Sequence, residues 1–348
     1  MTRKKVTLAA TGDVLLHKRV YNKAKKQNGY DFTSMFENIE PLFEKEHLTV
    51  VNLESIIAGK EIGLSDFPRF NSPIEIGYKL KDMNVDILNL ANNHMLDREE
   101  EGLLKSIENI EKIGLPYVGA FKSFEDQETL RIFHRNGLKI CFLSYASNYG
   151  VGKRPKGKEY LASLYKDFQV AGIRRICNKI KRDKIADVIV LSMHFGKEYQ
   201  MLPTASQNET VNSLSDAGAD VIIGHHPHVL QPPAIITNSK GEQTFTAYSL
   251  GNFFSGQKGV YRQIGGYMHI DIEKEPNNRK SLITFDNPTF RLTFVDSTDK
   301  ADYKMYLLKD YVENNKTIRT HVGDFDSKEI YEKMVSHMKT YMPDLNVY

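Results

Sequence analysis

Residues 6–13 read VTLAATGD, and this stretch decides the fold. Its apolar first half predicts a short buried strand, and Asp13 comes directly after that strand. The same arrangement recurs at residues 48–54 (LTVVNLE) and 85–94 (VDILNLANNH), with helical patterns between and after these runs. Strands that alternate with helices indicate right-handed crossovers, so we expect an α/β protein with a largely parallel sheet.

The alternation resumes in the second half of the chain. Residues 187–194 (DVIVLSMH) and 220–228 (DVIIGHHPH) are again apolar runs with polar ends. An amphipathic helix is predicted over residues 99–113, and Asn136-Gly137 between two strand-like runs predicts a two-residue hairpin turn.

Beyond residue 234 the strand pattern becomes antiparallel, and a helical pattern over residues 327–341 closes the chain. We therefore expect a catalytic domain over residues 1–273. Residues 274–348 are predicted to add C-terminal strands and the closing helix, packed on the same domain.

Composition and charge exclude several classes of protein. Of 348 residues, 41% are hydrophobic and 26% charged, which is typical of a globular chain. The net charge is +3 without a basic stripe, which argues against a nucleic-acid partner and against a nuclease. The apolar run at residues 6–10 is too short for a signal peptide, and no longer run predicts a transmembrane segment. We expect a soluble, cytoplasmic chain, with peripheral association with the cell envelope as the alternative.

Side chains that can bind metal ions follow the predicted strands, and carboxylates, amide oxygens and imidazoles together suit Mn²⁺, Fe²⁺ or Zn²⁺. The two cysteines, Cys141 and Cys177, form no CxxC pair, so a structural zinc site is not expected. Parallel strands would bring their carboxyl ends to one edge, where two ions could share a bridging carboxylate. The candidates are Asp13, Glu54, Asn93, His94, His194, His226 and His228.

Each candidate taken singly has a structural alternative. Asp13 could cap a helix, Asn93 could be a turn residue, and a lone histidine such as His194 is usually a hydrogen-bonded structural residue. Their recurrence at successive strand ends favours the metal-site interpretation. His225 is interpreted as a neighbour rather than a ligand, although its register against His226 stays open.

Six short motifs carry a family resemblance. Together they resemble the calcineurin-like metallophosphoesterase superfamily and, more narrowly, the CapA family of capsule and poly-γ-glutamate biosynthesis. The resemblance implies a layered α-β-β-α sandwich with mixed sheets, and it spans residues 11–253 in the family's order. The motifs are TGD (11–13), NLE (52–54), NNHMLD (92–97), HFGKE (194–198), GHHPH (224–228) and YSLGNF (248–253).

The resemblance also implies roles for individual residues. Asp13 would bind one ion, Glu54 would bridge two, and Asn93 would bind the second through its amide oxygen. His194 and His226 would ligate one ion and His228 the other.

The remaining candidate residues concern catalysis and substrate. By resemblance, His94 would act as general acid or transition-state stabiliser, oriented by Asp97. Glu198 would support the site or contact substrate. Asn252 could bind a ligand or a metal-binding loop, with a turn asparagine as the alternative. Arg69 could clamp an anionic substrate, with a solvated loop arginine as the alternative.

Among the departures from the superfamily pattern, such as Asn92 in place of the usual glycine, residue 15 bears most directly on the metal site. Residue 15 is leucine where the superfamily has a ligand histidine, and His17 is too far along the backbone to replace it. Two alternatives follow: one tightly and one loosely held ion, or a non-catalytic member of the family.

The function expected from this resemblance is metal-dependent hydrolysis linked to capsule or poly-γ-glutamate biosynthesis. A metal-bound hydroxide would attack a phosphoester or, alternatively, an amide or γ-glutamyl bond of an anionic small molecule or polymer. The second hypothesis is a non-catalytic, metal-dependent binding or export factor for an anionic polymer, associated with the capsule machinery.

Overall fold

The computed structural model describes residues 3–43, 48–275, 282–297 and 302–348, without the side chains of residues 166–169. The strands in these ranges are β1 Lys4–Leu15, β2 Lys25–Lys26, β3 Gly29–Tyr30, β4 Leu48–Leu53, β5 Ile87–Asn89, β6 Tyr117–Val118, β7 Arg131–Arg135, β8 Leu138–Ala146, β9 Val188–His194, β10 Val221–His225, β11 Leu230–Gln231, β12 Ala234–Thr237, β13 Gln243–Ala247, β14 Ser249–Leu250, β15 Asn252–Ser255, β16 Ile264–Lys274, β17 Ile283–Asp296, β18 Lys304–Leu307, β19 Ile318–Thr320, β20 Gly323–Phe325 and β21 Asn346–Val347. The α-helices are α1 Lys18–Ala24, α2 Thr33–Phe36, α3 Glu75–Asp82, α4 Glu99–Ile113, α5 Phe124–Glu128, α6 Tyr165–Arg182, α7 Ala205–Asp216, α8 Leu308–Glu313 and α9 Ser327–Met338.

Two mixed sheets form the centre of the molecule. The larger sheet has the order β18-β17-β16-β1-β4-β5-β6, with β15 also paired to β1 and β21 to β17. The smaller sheet has the order β12-β13-β10-β9-β8-β7. Strands β1, β4, β5 and β6 are parallel, as are β8, β9, β10 and β13. The parallel strands are therefore divided between two sheets, and the expectation that their ends share one sheet edge is wrong.

Three apolar layers explain how the sheets and helices stack. The first layer fills the space between the sheets, where Leu8 of β1 belongs to the same buried cluster as Val221 of β10. A second layer packs α3 and α4 against the outer face of the larger sheet, and a third packs α6 and α7 against the smaller sheet. The predicted α-β-β-α sandwich is thereby confirmed.

Local sequence signals are followed closely at two places. Helix α4 begins and ends as predicted, and Gly114 terminates it with a left-handed φ of 77° and an N–H bond to the Ile110 carbonyl. In the β7–β8 hairpin, Asn136 and Gly137 have φ values of 48° and 76°, which give the predicted two-residue turn a type I′ geometry.

The C-terminal strands extend the larger sheet. Strand β17 pairs antiparallel with β16 along most of its length, and β18 pairs with β17. The division into residues 1–273 and 274–348 stays a prediction, and residues 276–281 next to it lie outside the described ranges. No helix in the described part of the chain is long and apolar enough to cross a membrane.

Candidate metal centre

Two glycines allow the backbone to converge at the centre. A Cβ atom on Gly12 would lie 1.9 Å from the carbonyl oxygen of Gly251, and one on Gly224 would lie 1.9 Å from that of Tyr248. Only glycine tolerates such an approach. Gly12 and Gly224 therefore allow residues 248–251 to cross closely over β1 and β10. This crossing sets Asn252 beside Asp13 in the pairing of β15 with β1.

Asp13, Glu54 and His228 form the first group that could hold a metal ion. The Nδ1 atom of His228 lies 3.1 Å from Asp13 Oδ2, and its Nε2 atom lies 3.7 Å from Glu54 Oε1. Asn252 Oδ1 also lies 3.0 Å from His228 Nδ1, which favours a proton on Nδ1 and a free lone pair on Nε2. Asn252 is buried, and it orients this imidazole; its predicted contact with substrate stays a prediction.

Glu54, His194 and His226 form the second group. His194 Nε2 lies 3.6 Å from Glu54 Oε1 and 2.9 Å from Asn93 Oδ1, so the amide oxygen of Asn93 belongs to this side of the centre. The rings of His194 and His226 are 4.8 Å apart. Glu54 is common to both groups, which is the geometry that a bridging carboxylate requires.

Buried polar atoms without a hydrogen-bond partner test whether a cation fits here. Such atoms are costly in a protein interior, because each loses its hydration without compensation. They include carboxylate oxygens and imidazole nitrogens. These are ligand types that divalent transition metals prefer. Of the unpaired atoms among the described residues, those on the carboxylates and imidazoles at the centre are Asp13 Oδ2, Glu54 Oε1 and Oε2, His194 Nδ1, His225 Nδ1 and Nε2, and His226 Nδ1.

The pKa shifts follow from this burial. Burial and the neighbouring Asp13 raise the pKa of Glu54 well above its usual range. Burial also acts to raise the pKa of Asp13, but contacts with His225 and His228 outweigh it and hold the pKa well below its usual range. Burial lowers the pKa of His194 strongly, which keeps the imidazole neutral and able to ligate a cation.

A buried hydrogen-bond chain anchors Asp13 to both sheets. Asn52 Nδ2 donates to Asp13 Oδ1 at 2.7 Å, and Asn89 Nδ2 donates to Asn52 Oδ1 at 2.8 Å. Ser144, on β8 of the smaller sheet, then donates its hydroxyl to Asn89 Oδ1. The chain runs through β1, β4, β5 and β8, so it fixes both the carboxylate and the spacing of the sheets.

His94 and Asp97 form a separate pair beside the centre. His94 Nδ1 donates to Asp97 Oδ2 at 2.7 Å, while the backbone N–H of Phe70 donates to the same oxygen at 2.6 Å. Phe70 also packs edge-on against the His94 ring at 4.8 Å. These contacts fix the orientation of the imidazole through its Nδ1 side, as expected if Asp97 positions it.

The predicted substrate residues lie at the rim. Glu198 is exposed and could share a cation with His226 and His228. Arg69 is also exposed and lies 3.5 Å from Glu99, without contact to the metal-binding groups. Substrate contact by both residues stays a prediction.

Three features were missed by sequence reasoning. Asn89 carries no motif signal, because its role depends on a neighbouring strand. Arg262 stacks over Tyr199 at 4.3 Å, and the Tyr199 ring is 6.2 Å from that of His228. His225, interpreted as a neighbour, lies 3.4 Å from Asp13 through its Nδ1 atom; period-two alternation along β10 could have found it.

Fold and site together define a metallophosphoesterase-like α/β protein with a candidate centre for divalent cations. The chain belongs to the bacterial capsule synthesis protein PGA_cap family, whose model matches residues 7–257. This finding confirms the family predicted from the motifs.

Two relatives named CapA agree with this membership. The PGA biosynthesis protein CapA of Bacillus subtilis (strain 168) is 31% identical over 284 residues, covering 79% of this chain and 70% of that protein. The capsule biosynthesis protein CapA of Bacillus anthracis is 28% identical over 260 residues, covering 73% and 60%. A crystal structure of a hypothetical protein from Thermus thermophilus aligns with a TM-score of 0.43 at 12% identity, covering 82% of this chain and 99% of that one.

Proposed function

We propose that this chain is a metal-dependent hydrolase of the phosphoesterase type that acts in capsule or poly-γ-glutamate biosynthesis. The observation that carries the proposal is Glu54, whose buried carboxylate is shared by two groups of side chains that could hold a metal ion and has no hydrogen-bond partner among the described residues. Asp13 and His228 would hold one ion with Glu54. Asn93, His194 and His226 would hold the other.

Bound divalent cations would supply an acidic water as nucleophile and would neutralise the charge that develops on the reacting group. The protein's own contribution is orientation and proton transfer. Asp97 holds the Nδ1 proton of His94, so Nε2 is the atom available to hold or deliver a proton at the leaving group. Phe70 packs against the same ring and limits its rotation.

Arginine residues at the rim of the candidate centre favour an anionic substrate. Arg262 lies over the Tyr199 ring, near His228, and Arg69 lies on the His94 side, where it contacts the Val151 carbonyl at 3.4 Å. Guanidinium groups on both sides would bind phosphate or carboxylate groups. A phosphoester is the default substrate, and an amide or γ-glutamyl bond is the alternative, because a fold alone does not select the reaction.

The test is turnover of aryl phosphate monoesters, diesters and γ-glutamyl anilides by metal-loaded protein. We expect Mn²⁺-dependent hydrolysis of one class, reduced at least about 100-fold in Asp13→Ala and His94→Ala. His134→Ala is the matched control, since His134 is exposed on β7, and it should keep wild-type activity. Absence of turnover with all three classes would contradict the proposal.

Leu15 supports a second candidate, a non-catalytic binding or export factor for an anionic polymer. The leucine is buried and offers no donor to the Asp13 side of the centre. Metal-dependent binding of poly-γ-glutamate that survives His94→Ala, without turnover, would favour this function over hydrolysis.

The relatives' names motivate a proposed association with the capsule machinery. Recovery of the chain in the envelope fraction only when capsule-synthesis proteins are co-expressed would support it. Equal recovery without them would contradict it.

A further inference from the structure

Glu198 is an exposed carboxylate that belongs to a third group of side chains that could hold a metal ion. The other members are His226 and His228, and the three ligand atoms all lie within 4.8 Å of one another. We call these three residues the outer group. Contact with substrate is a poor explanation for Glu198, because the proposed substrate is anionic and like charges repel. A carboxylate beside two imidazoles instead suits a divalent transition metal.

The backbone holds Glu198 against the loop that carries the two histidines. Hydrogen bonds on either side of it join the segment after β9 to the end of β10 and the residues that follow. The N–H of Phe195 donates to the His225 carbonyl at 3.1 Å, and the N–H of Tyr199 donates to the Pro227 carbonyl at 2.8 Å. Glu198 therefore lies on the surface but in a fixed place beside the imidazoles.

The backbone around the outer group is also strained. The φ angle is 65° at Tyr199, 99° at His226 and 58° at His228, which is left-handed and unfavourable for residues other than glycine. Strained residues of this kind cluster at sites that bind ligands. The two groups that share Glu54 account for the strain at both histidines, but Tyr199 belongs to neither group and directly follows Glu198. A ligand role for Glu198 would account for the strain at Tyr199.

The outer group connects solvent to the two groups that share Glu54, which we call the inner groups. Asp13, Glu54 and His194 have exposed fractions of 0%, so these side chains do not contact bulk water. The outer group shares His228 with the inner group of Asp13 and His226 with that of His194. A cation held by the outer group would therefore keep one imidazole on moving to either inner group. Ligands at the mouth would replace part of its hydration shell first, which avoids the cost of a bare ion in the interior.

We propose that Glu198 is the entry ligand of the metal centre. Together with His226 and His228 it captures a divalent cation from water and passes it to the inner groups. This inference rests on the proposed metal centre. The outer group is not a third permanent site, because both of its imidazoles serve the inner groups once the centre is filled. Glu198 therefore controls the rates at which ions enter and leave, and not the affinity at equilibrium.

The test compares Glu198→Gln with wild type and with Glu209→Gln, a matched change at an exposed glutamate of α7. Glutamine keeps the shape of the side chain and removes its charge. The ionic strength is kept at about 0.15 M, where long-range attraction is largely screened. We expect uptake of Zn²⁺, and its release into excess colorimetric chelator, both to slow at least about tenfold in Glu198→Gln, because a charged contact is lost on the path in both directions. The Kd for Zn²⁺ should keep its wild-type value, and Glu209→Gln should match wild type in both rates.

Each other outcome has a distinct meaning. Unchanged rates in Glu198→Gln would overturn the proposal. Faster release together with a weaker Kd would also overturn it, because Glu198 would then be a permanent ligand. Failure of wild type to bind Zn²⁺ would overturn this inference together with the proposed centre. Slowed exchange in Glu198→Gln without any turnover by wild type would support the entry role and refute the proposed hydrolase alone.

A crystal of Glu54→Gln provides a second measurement that does not depend on the Glu198 variant. The change removes the carboxylate that both inner groups share and leaves the outer group intact. After soaking with Zn²⁺, anomalous scattering should place an ion about 2.0–2.2 Å from ligand atoms of Glu198, His226 and His228. An ion that contacts the imidazoles but not Glu198, or no ion at the outer group, would overturn the assignment.

Discussion

At the residue scale, Glu54 is the side chain on which the proposed centre depends. Its carboxylate is fully buried near that of Asp13, and without a cation this arrangement is unfavourable. The raised pKa of Glu54 reflects the same unfavourable burial of charge, because the fold favours the protonated, neutral carboxyl group. Cations of charge +2 would reverse this preference, so stability and metal binding are linked at this residue.

Glu54→Gln should separate the two effects. The amide keeps the shape and removes the charge, so metal-free protein should gain on the order of 1 kcal/mol in the free energy of unfolding at neutral pH. Mn²⁺ binding should fall at least about 100-fold, as measured by titration calorimetry. Lower stability of the metal-free variant together with unchanged Mn²⁺ affinity would contradict this account.

The same raised pKa predicts a pH dependence for metal-free protein. The stability that Glu54 contributes is present below its usual pKa and is lost as the pH rises through the raised pKa. Metal-free wild type should therefore lose this part of its stability on going from acidic to neutral pH, and Glu54→Gln should lose less. Urea unfolding at several pH values measures the difference; parallel curves for the two proteins would refute it.

His94 and Asp97 should affect catalysis without affecting cation binding. We expect His94→Ala to lower kcat by about 10²–10⁴-fold and Asp97→Asn to lower it less, because the imidazole remains but is less well oriented. Mn²⁺ stoichiometry should stay at the wild-type value in both variants. Loss of an ion in either variant would assign these residues to the metal centre instead.

At the scale of elements, the asparagine chain connects four strands to one carboxylate. Asn89→Leu would remove the hydrogen-bond partner of Asn52 Oδ1 and of the Ser144 hydroxyl. Each buried polar group left without a partner lowers the free energy of unfolding by about 1–3 kcal/mol. Mn²⁺ affinity should also fall, by about 10–100-fold, because Asp13 loses its support. Chemical unfolding and metal titration measure the two effects.

Asn109→Leu is the matched control. Asn109 is a buried asparagine on α4 that donates to the Ile57 carbonyl at 2.8 Å, away from the chain that anchors Asp13. The Asn109→Leu variant should lose stability but keep the wild-type affinity for Mn²⁺. Equal losses of affinity in Asn89→Leu and Asn109→Leu would show that the chain does not act on the centre specifically.

Much of the element structure could be predicted from sequence. Apolar periodicity placed α4, and Asn136-Gly137 placed the β7–β8 hairpin. The family resemblance implied two sheets, but the apolar pattern alone could not assign each strand to one of them, because alternation specifies which side chains face a core and not which sheet receives the strand. The motif residues nevertheless converge, since the two sheets bring their parallel strand ends together.

The histidines at and after the end of β10 show a second limit of prediction from sequence. His226 and His228 have φ values of 99° and 58°, which break the period-two alternation that holds through His225. Neighbouring histidines therefore need not face opposite sides here. A sequence pattern cannot show this local turn, and for that reason the register of His225 against His226 stayed open.

At the scale of the whole molecule, the centre draws its donors from both halves of the sandwich. Asp13 lies near the end of β1 in the larger sheet, and Glu54 and Asn93 follow other strands of that sheet. His194 is the last residue of β9 in the smaller sheet, and His226 follows β10. Cations bound between the two sheets would bind the folded chain and not the unfolded chain, so they would stabilise the fold. Binding at 1,000 times Kd would stabilise the fold by about 4 kcal/mol.

Removal of metal should therefore lower thermal stability. We expect chelator treatment of wild type to lower Tm by at least about 5 °C, and added Mn²⁺ to restore it. Glu54→Gln should show little change in Tm with either treatment. An equal shift in wild type and in this variant would place the stabilising ion outside the proposed centre.

The most direct measurement of the central claim is anomalous diffraction from crystals grown with Mn²⁺. The account predicts two peaks about 3.5–4 Å apart on either side of the Glu54 carboxylate. One peak should contact Asp13 and His228, and the other His194 and His226. Peaks elsewhere, or none at saturating Mn²⁺, would contradict it.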